Sequence, residues 1–168
     1  KLWLFIGLVL VLLVGIAGVG LARSAGILAE GRAQTLVAQK MVQVATHWNG
    51  LTETNAARNH AIIISTEPAV GDAFKDLIKA TSAEISVMQK ELDSLPLTDA
   101  DKAQLQKIAD LRKSVMSLRE KARASRAAGN NDEAMQILNS EYLPTNASYI
   151  AAQKELVKMQ EQRVVDVQ

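Results

Sequence analysis

Residues Leu2–Ala22 read LWLFIGLVLVLLVGIAGVGLA, 21 residues without a charge. In hydrocarbon every backbone N–H and C=O must be satisfied within the segment, which leaves a helix as the conformation for a single run. About 20 apolar residues span the hydrocarbon core as a helix. A secretory signal has an apolar region of only about 7–15 residues, so residues 1–22 are expected to be an uncleaved membrane-spanning helix. Trp3 suits the interfacial aromatic belt. Gly7, Gly15, Gly18 and Gly20 include no pair four apart, so the GxxxG helix-packing pattern is missing. Lys1 is not an initiator methionine, and further sequence is expected before it.

Residues 23–168 have a different character. Of the 19 Lys and Arg one is Lys1, and the other 18 face 18 Asp and Glu. That balance lacks the cationic excess with which a nucleic-acid binder displaces phosphate counterions. Zero cysteines exclude thiolate metal sites, Fe–S clusters, disulfides and cysteine nucleophiles. Ala, Leu, Gln, Lys and Glu dominate, strand alternation is absent, and Pro occurs three times. This is helical composition.

Breaks divide the region into four amphipathic segments. The first continues out of the membrane to about Thr66, with a seam of Val37, Met41, Val44, Trp48, Leu51, Asn55, Arg58, Ile62 and Ser65. Steps of alternately four and three residues bury one stripe against neighbouring helices. Pro68 fits the first turn of a second helix, where its missing N–H is no loss; its seam is Phe74, Ile78, Thr81, Ile85, Met88, Leu92 and Leu95, and Pro96 stops it. Thr98 and Asp101 resemble a capping box that starts a third helix, with Ile108, Leu111, Val115, Leu118 and Ala122 inward. Gly129-Asn130-Asn131 is a left-handed stop. A fourth helix begins near Asp132, meets Pro144 and continues through Tyr149, Ala152, Leu156 and Met159. Short connections force antiparallel neighbours, so the expected fold is all-α: an up-down-up-down antiparallel four-helix bundle with an N-terminal transmembrane helix. The helical pattern is uncapped at Gln168, and a second membrane span is expected after it.

Polar residues interrupt these seams at similar heights. At about 1.5 Å rise per residue, Arg58 lies about 12 Å and Thr81 about 20 Å below the first distal turn. Arg119, Arg112 and Tyr149 lie about 14, 24 and 27 Å below the second. A lone arginine on a bundle helix usually lays its methylenes over the core and keeps its charge in water, and Arg123, Arg126 and Arg163 are read that way. Arg58, Arg112 and Arg119 instead coincide in one belt without an acidic partner on the same stripes. Unpaired charge in low dielectric is costly, so something anionic should complete it. The planar guanidinium fork matches carboxylates, and Asn55, Thr81, Ser82 and Tyr149 are placed to bond a hydroxyl or a second oxygen. The candidate ligand is a small di- or tricarboxylate such as malate, succinate or citrate; no cofactor, metal or catalytic residue is expected.

TETNAARNHAIIIST (residues 52–66) and GNNDEAMQILNSEYLPTNASY (residues 129–149), after a membrane span, resemble the four-helix-bundle sensor domain of bacterial methyl-accepting chemotaxis proteins. The set Arg58, Thr81, Arg112, Arg119 and Tyr149 is similar to that of members sensing tricarboxylic-acid-cycle acids. It departs from the aspartate and serine receptors, whose arginines lie on first-helix faces at a dimer interface. The resemblance implies a homodimeric receptor in the bacterial inner membrane with its sensor in the periplasm. It also implies signalling to a cytoplasmic histidine kinase and coupling protein through regions outside this sequence. Leu36, Val37 and Ile64, beside the main seam, offer weak support for dimerisation.

An enzyme is not expected. His47 and His60 stand thirteen apart on one helix and lack the Glu-x-x-His partners of a di-metal bundle; Met41, Met88, Met116 and Met159 read as core fillers. Two alternatives have the same bundle: the sensor of a two-component histidine kinase, which residues after Gln168 would discriminate, and a ligand-free structural envelope protein.

Overall fold

The computed structural model describes the backbone of residues 2–166 and the side chains of residues 23–166, residue 25 excepted. It contains helices α1 (Leu2–Ile64), α2 (Pro68–Asp93), α3 (Asp99–Ala127), α4 (Asn131–Ile137) and α5 (Leu143–Asp166), with a π-helical turn at Leu138–Tyr142 between the last two. The stretch from Asn131 to Asp166 forms one fourth rod, so the chain is a four-helix bundle. The expected membrane span falls on Leu2–Ala22, whose side chains lie outside the described residues. Among the described residues no helix is long and apolar enough to cross a membrane.

The element ends follow local chemistry. Pro68 sits in the first turn of α2. That helix ends at Asp93, three residues before the expected proline stop, because Pro96 disfavours helical backbone in the residue before it. Thr98 caps α3: Thr98 N donates to Asp101 Oδ2 at 2.9 Å, and Asp101 N donates to Thr98 Oγ1 at 3.2 Å. After α3, Asn130 N donates to the Ser125 carbonyl and Gly129 N to that of Arg126, the paired bonds of a Schellman stop. Gly129 has φ 82°, a left-handed conformation that a Cβ makes costly.

The fourth rod departs from the expected uninterrupted helix. Pro144 has no N–H, and in a regular α-helix its ring would also press on the carbonyl four residues back. The chain accommodates it with the π turn, in which Leu143 N donates to the Leu138 carbonyl, five residues back. The widened turn buries both Leu138 and Tyr142.

One core runs between the rods, built on Met41, Val44, Trp48, Ile85, Ile108 and Leu156 and their neighbours. Burying each large apolar side chain contributes roughly 1.5–3 kcal/mol. The seams of α2 and α3 fall as expected, with Ile78, Ile85, Leu92, Ile108, Val115 and Ala122 buried. In α1 Asn55 is buried as expected, but otherwise the seam holds only as far as Trp48. Beyond it Thr52, Asn59 and Ile63 are buried in place of Leu51, Arg58 and Ile62. A straight helix with 3.6 residues per turn drifts about 20° per heptad, and here the drift rotates the seam by one residue. Val37, the first residue of the expected seam, packs half-buried against the core, whereas Leu36 and Ile64 are exposed.

Packing between rods is unequal. α5 packs closely on α1 and α3, and α2 packs on α1, but the Cα atoms of α2 and α3 scarcely approach within 8 Å of each other. The seam between α2 and α3 is therefore wide.

Two arginines expected in solvent have structural partners. Arg163 grips Asp101 with both terminal nitrogens at 3.0 Å, although Asp101 is 0% exposed. Gln160 Nε2 adds a bond to the same carboxylate at 2.6 Å. Burial pushes the Asp101 carboxyl up, but the hydrogen bonds from Arg163, Thr98 and Gln160 outweigh it and hold the group below its ordinary value. Arg126 donates to the Ser65 carbonyl at 2.8 Å and the Ile64 carbonyl at 3.3 Å. Those carbonyls lie at the open end of α1, where no further helical turn supplies a donor. In both cases the side chain meets a group on another element, which spacing along one helix does not reveal.

Candidate functional site

Halfway up the distal part of the wide α2–α3 seam lies a cavity of ≈ 50 Å³. Every rod contributes to its wall. Asn55 and Asn59 come from α1, Ser82 from α2, Arg112 and Arg119 from α3, and Tyr142, Asn146 and Tyr149 from the fourth rod. Tyr142 and Asn146 reach it through the π turn and the first turns of α5. Such turns occur often at functional sites because they re-aim side chains without breaking the helix.

Arg112 bridges the wide seam. Its Nη2 donates to Ser86 Oγ at 3.2 Å and to the Ser82 carbonyl at 3.5 Å. A guanidinium has five N–H donors, and among the described residues no carboxylate pairs with this one. Arg119 is 16% exposed and turns toward Glu120, whose Oε1 accepts from Nη2 at 2.7 Å and from Nε at 3.0 Å. That carboxylate stands at the exposed rim, so Arg119 has one foot in the cavity and one in solvent.

Of the other expected site residues, Asn55, Ser82 and Tyr149 line the cavity and Arg58 and Thr81 do not. Arg58 Nη1 donates to Thr81 Oγ1 at 2.9 Å and to the Leu77 carbonyl at 3.5 Å, across the α1–α2 contact. The one-residue rotation of the α1 seam moves Arg58 to this edge and places Asn59 inside. Asn55 also ties α1 to α2, donating to Ser82 Oγ at 3.3 Å and to the Ile78 carbonyl at 3.4 Å.

Tyr149 belongs to a hydrogen-bonded floor. Its hydroxyl accepts from Trp48 Nε1 at 3.1 Å and hydrogen-bonds Thr52; burial pushes it above its ordinary value, against the opposing effects of Thr52, Arg112 and Trp48. The Trp48 and Tyr149 rings meet edge-on, with centroids 6.4 Å apart. Gln153 continues the floor, donating to Thr52 Oγ1 at 3.0 Å and accepting from Asn49 at 3.2 Å. Burial also raises Tyr142, with the Arg119 charge acting in the opposite direction.

Asn59, Asn146, Tyr142 and Thr52 were not anticipated at this site. For Thr52 and Asn59 the missed signal was helical drift. For Tyr142 and Asn146 it was the π turn, which the Leu-Pro pair at 143–144 hints at but does not place.

The arrangement offers two cationic forks, several neutral hydrogen-bonding groups and no acidic side chain in a wall made by all four rods. It suits a small anion. Its lining residues include no nucleophile paired with a base and no paired carboxylates. The cavity holds only a few water molecules by volume.

No curated protein sequence matches the chain. The profile described as a four helix bundle sensory module for signal transduction matches residues 1–168. The chain therefore belongs to the family of four-helix-bundle sensory modules that act in signal transduction.

Proposed function

We propose that this sensory module recognises a small di- or tricarboxylate such as malate, succinate or citrate in the cavity between α2 and α3. The observation that carries this reading is Arg112, a guanidinium at an interior wall with only a hydroxyl and a carbonyl as partners, both at 3.2 Å or beyond. A ligand carboxylate would replace these with two charge-assisted bonds worth roughly 1.5–3 kcal/mol each. Arg119 would leave Glu120 at the rim and close on a second carboxylate. Arg58 and Thr81, already bonded to each other, would hold α2 against α1 beside the site.

In the same reading Leu2–Ala22 anchors the module in a bacterial inner membrane and the bundle stands in the periplasm as a chemoreceptor sensor. Exposed Ile27, Leu28, Leu36 and Ile64 on α1 support a homodimer with α1 at its interface. Ligand closure of the cavity, which the fourth rod helps to wall, biases that rod. The signal then passes toward a cytoplasmic histidine kinase and its coupling protein. A small helix displacement is sufficient for such a switch.

The test is calorimetric titration of the 168-residue chain in mild detergent with malate, succinate and citrate, repeated with Arg112→Ala. Losing a two-bond charged contact is expected to weaken binding about 100-fold or more. If no organic acid binds the parent at millimolar concentration, the reading fails.

A further inference from the structure

We infer that the ligand of this cavity carries a hydroxyl beside its carboxylate, and that Asn59 Oδ1 accepts the hydroxyl proton. The inference rests on the carboxylate reading above and narrows it to hydroxy acids.

Asn59 is 3% exposed and lines the cavity. Its Nδ2 donates to the Asn55 carbonyl at 2.7 Å. That contact fixes which amide atom is which, because an oxygen in the same place would face another oxygen at repulsive distance. Oδ1 is therefore the remaining atom, and it is buried with no hydrogen-bond partner among the described residues. A buried acceptor left unpaired costs free energy that a suitable donor recovers. The cavity thus combines an incompletely satisfied cation, Arg112, with an unsatisfied neutral acceptor, Asn59. A dicarboxylate alone satisfies the first and leaves the second unpaired. A hydroxy acid satisfies both.

An ammonium would also donate, but the charge pattern argues against it. Arg112 and Arg119 both line the cavity and no Asp or Glu does. A cationic group would enter a wall bearing two positive charges without a counter-ion, whereas a hydroxyl brings no charge. The Tyr149 and Ser82 hydroxyls each already accept one bond, from Trp48 and Asn55, whereas the buried Asn59 Oδ1 accepts none.

Malate, succinate and aspartate share a four-carbon diacid skeleton and differ in bearing a hydroxyl, a hydrogen or an ammonium. They are titrated by calorimetry into the 168-residue chain in mild detergent. Malate is expected to bind about 10- to 100-fold more tightly than succinate, as for a buried acceptor gaining or missing its donor. In Asn59→Ala the malate-to-succinate ratio is expected to fall to near one, with circular dichroism checking that the variant is folded. The parent's ratio decides the matter even if that variant does not fold. Equal binding of malate and succinate to the parent overturns the inference and leaves the carboxylate reading standing. Tighter binding of aspartate overturns the choice of a hydroxyl. Binding of none of the three overturns both readings.

Discussion

Replacing Arg163 with alanine isolates the buried ion pair that joins the fourth rod to the start of α3. In the parent two nitrogens of Arg163 meet the two oxygens of Asp101 at 3.0 Å, and Nη2 also reaches Thr98 Oγ1 at 3.2 Å. The Asp101 side chain is 0% exposed and that of Arg163 24% exposed. Truncation leaves an enclosed carboxylate with only neutral donors, from Thr98 and Gln160. Removing one partner of a buried pair costs about 3–5 kcal/mol. Partial exposure of Arg163 lets water replace some of the loss, so about 3 kcal/mol is expected. At about 2–4 °C per kcal/mol for a chain of this size, Tm should fall by about 6–12 °C.

The pH dependence has a definite sign. Asp101 titrates near 3.9 in the unfolded chain and lower in the folded one. Its stabilising contribution is therefore complete above about pH 4 and is lost as pH falls through the folded value. Without Arg163 the depression weakens, so the gap between parent and variant is widest near neutrality and narrows as pH falls through the folded value. Thermal unfolding followed by circular dichroism at several pH values measures both effects. A Tm change under about 2 °C, well below that expected for a buried pair, would refute the reasoning, as would a gap independent of pH.

Other substitutions probe separate parts of the argument. Gly129→Ala places a Cβ on a backbone with φ 82° and nothing within 4 Å, so only conformational cost of about 1–2 kcal/mol remains, read as a drop of a few degrees in Tm. Tyr149→Phe strands the Trp48 indole N–H; it should cost about 1–3 kcal/mol and shift the Trp48 emission. Arg119→Gln is expected to weaken acid binding less than Arg112→Ala, because Arg119 must leave Glu120 to reach the ligand; paired titrations compare them.

The parts of the fold legible in the sequence are those set by local chemistry. Pro68, the Thr98–Asp101 capping box and Gly129 mark element ends because each acts through its own backbone. The seams of α2 and α3 follow from spacing alone. Beyond Trp48 the α1 seam was readable only at Asn55, since a heptad template cannot track a 3.6-residue helix indefinitely; this exchanged Arg58 for Asn59 in the expected site. Pro144 signalled a disturbance without saying that a wide turn would absorb it and bring Tyr142 and Asn146 inward. The bond of Arg163 to Asp101 and that of Arg126 to the end of α1 join residues about sixty positions apart, and nothing periodic connects such pairs. Arg112, Arg119, Asn55, Ser82 and Tyr149 could be singled out because polar groups on apolar stripes stand out wherever the stripe itself is correctly placed.

The loose contact of α2 with α3 contrasts with the close packing of α1 on α5. Among the described residues the side-chain hydrogen bonds from α3 to α2 are two long ones, from Arg112 to the Ser82 carbonyl and to Ser86 Oγ. A bundle held this unequally should open first along that side, with α1 and α5 staying paired.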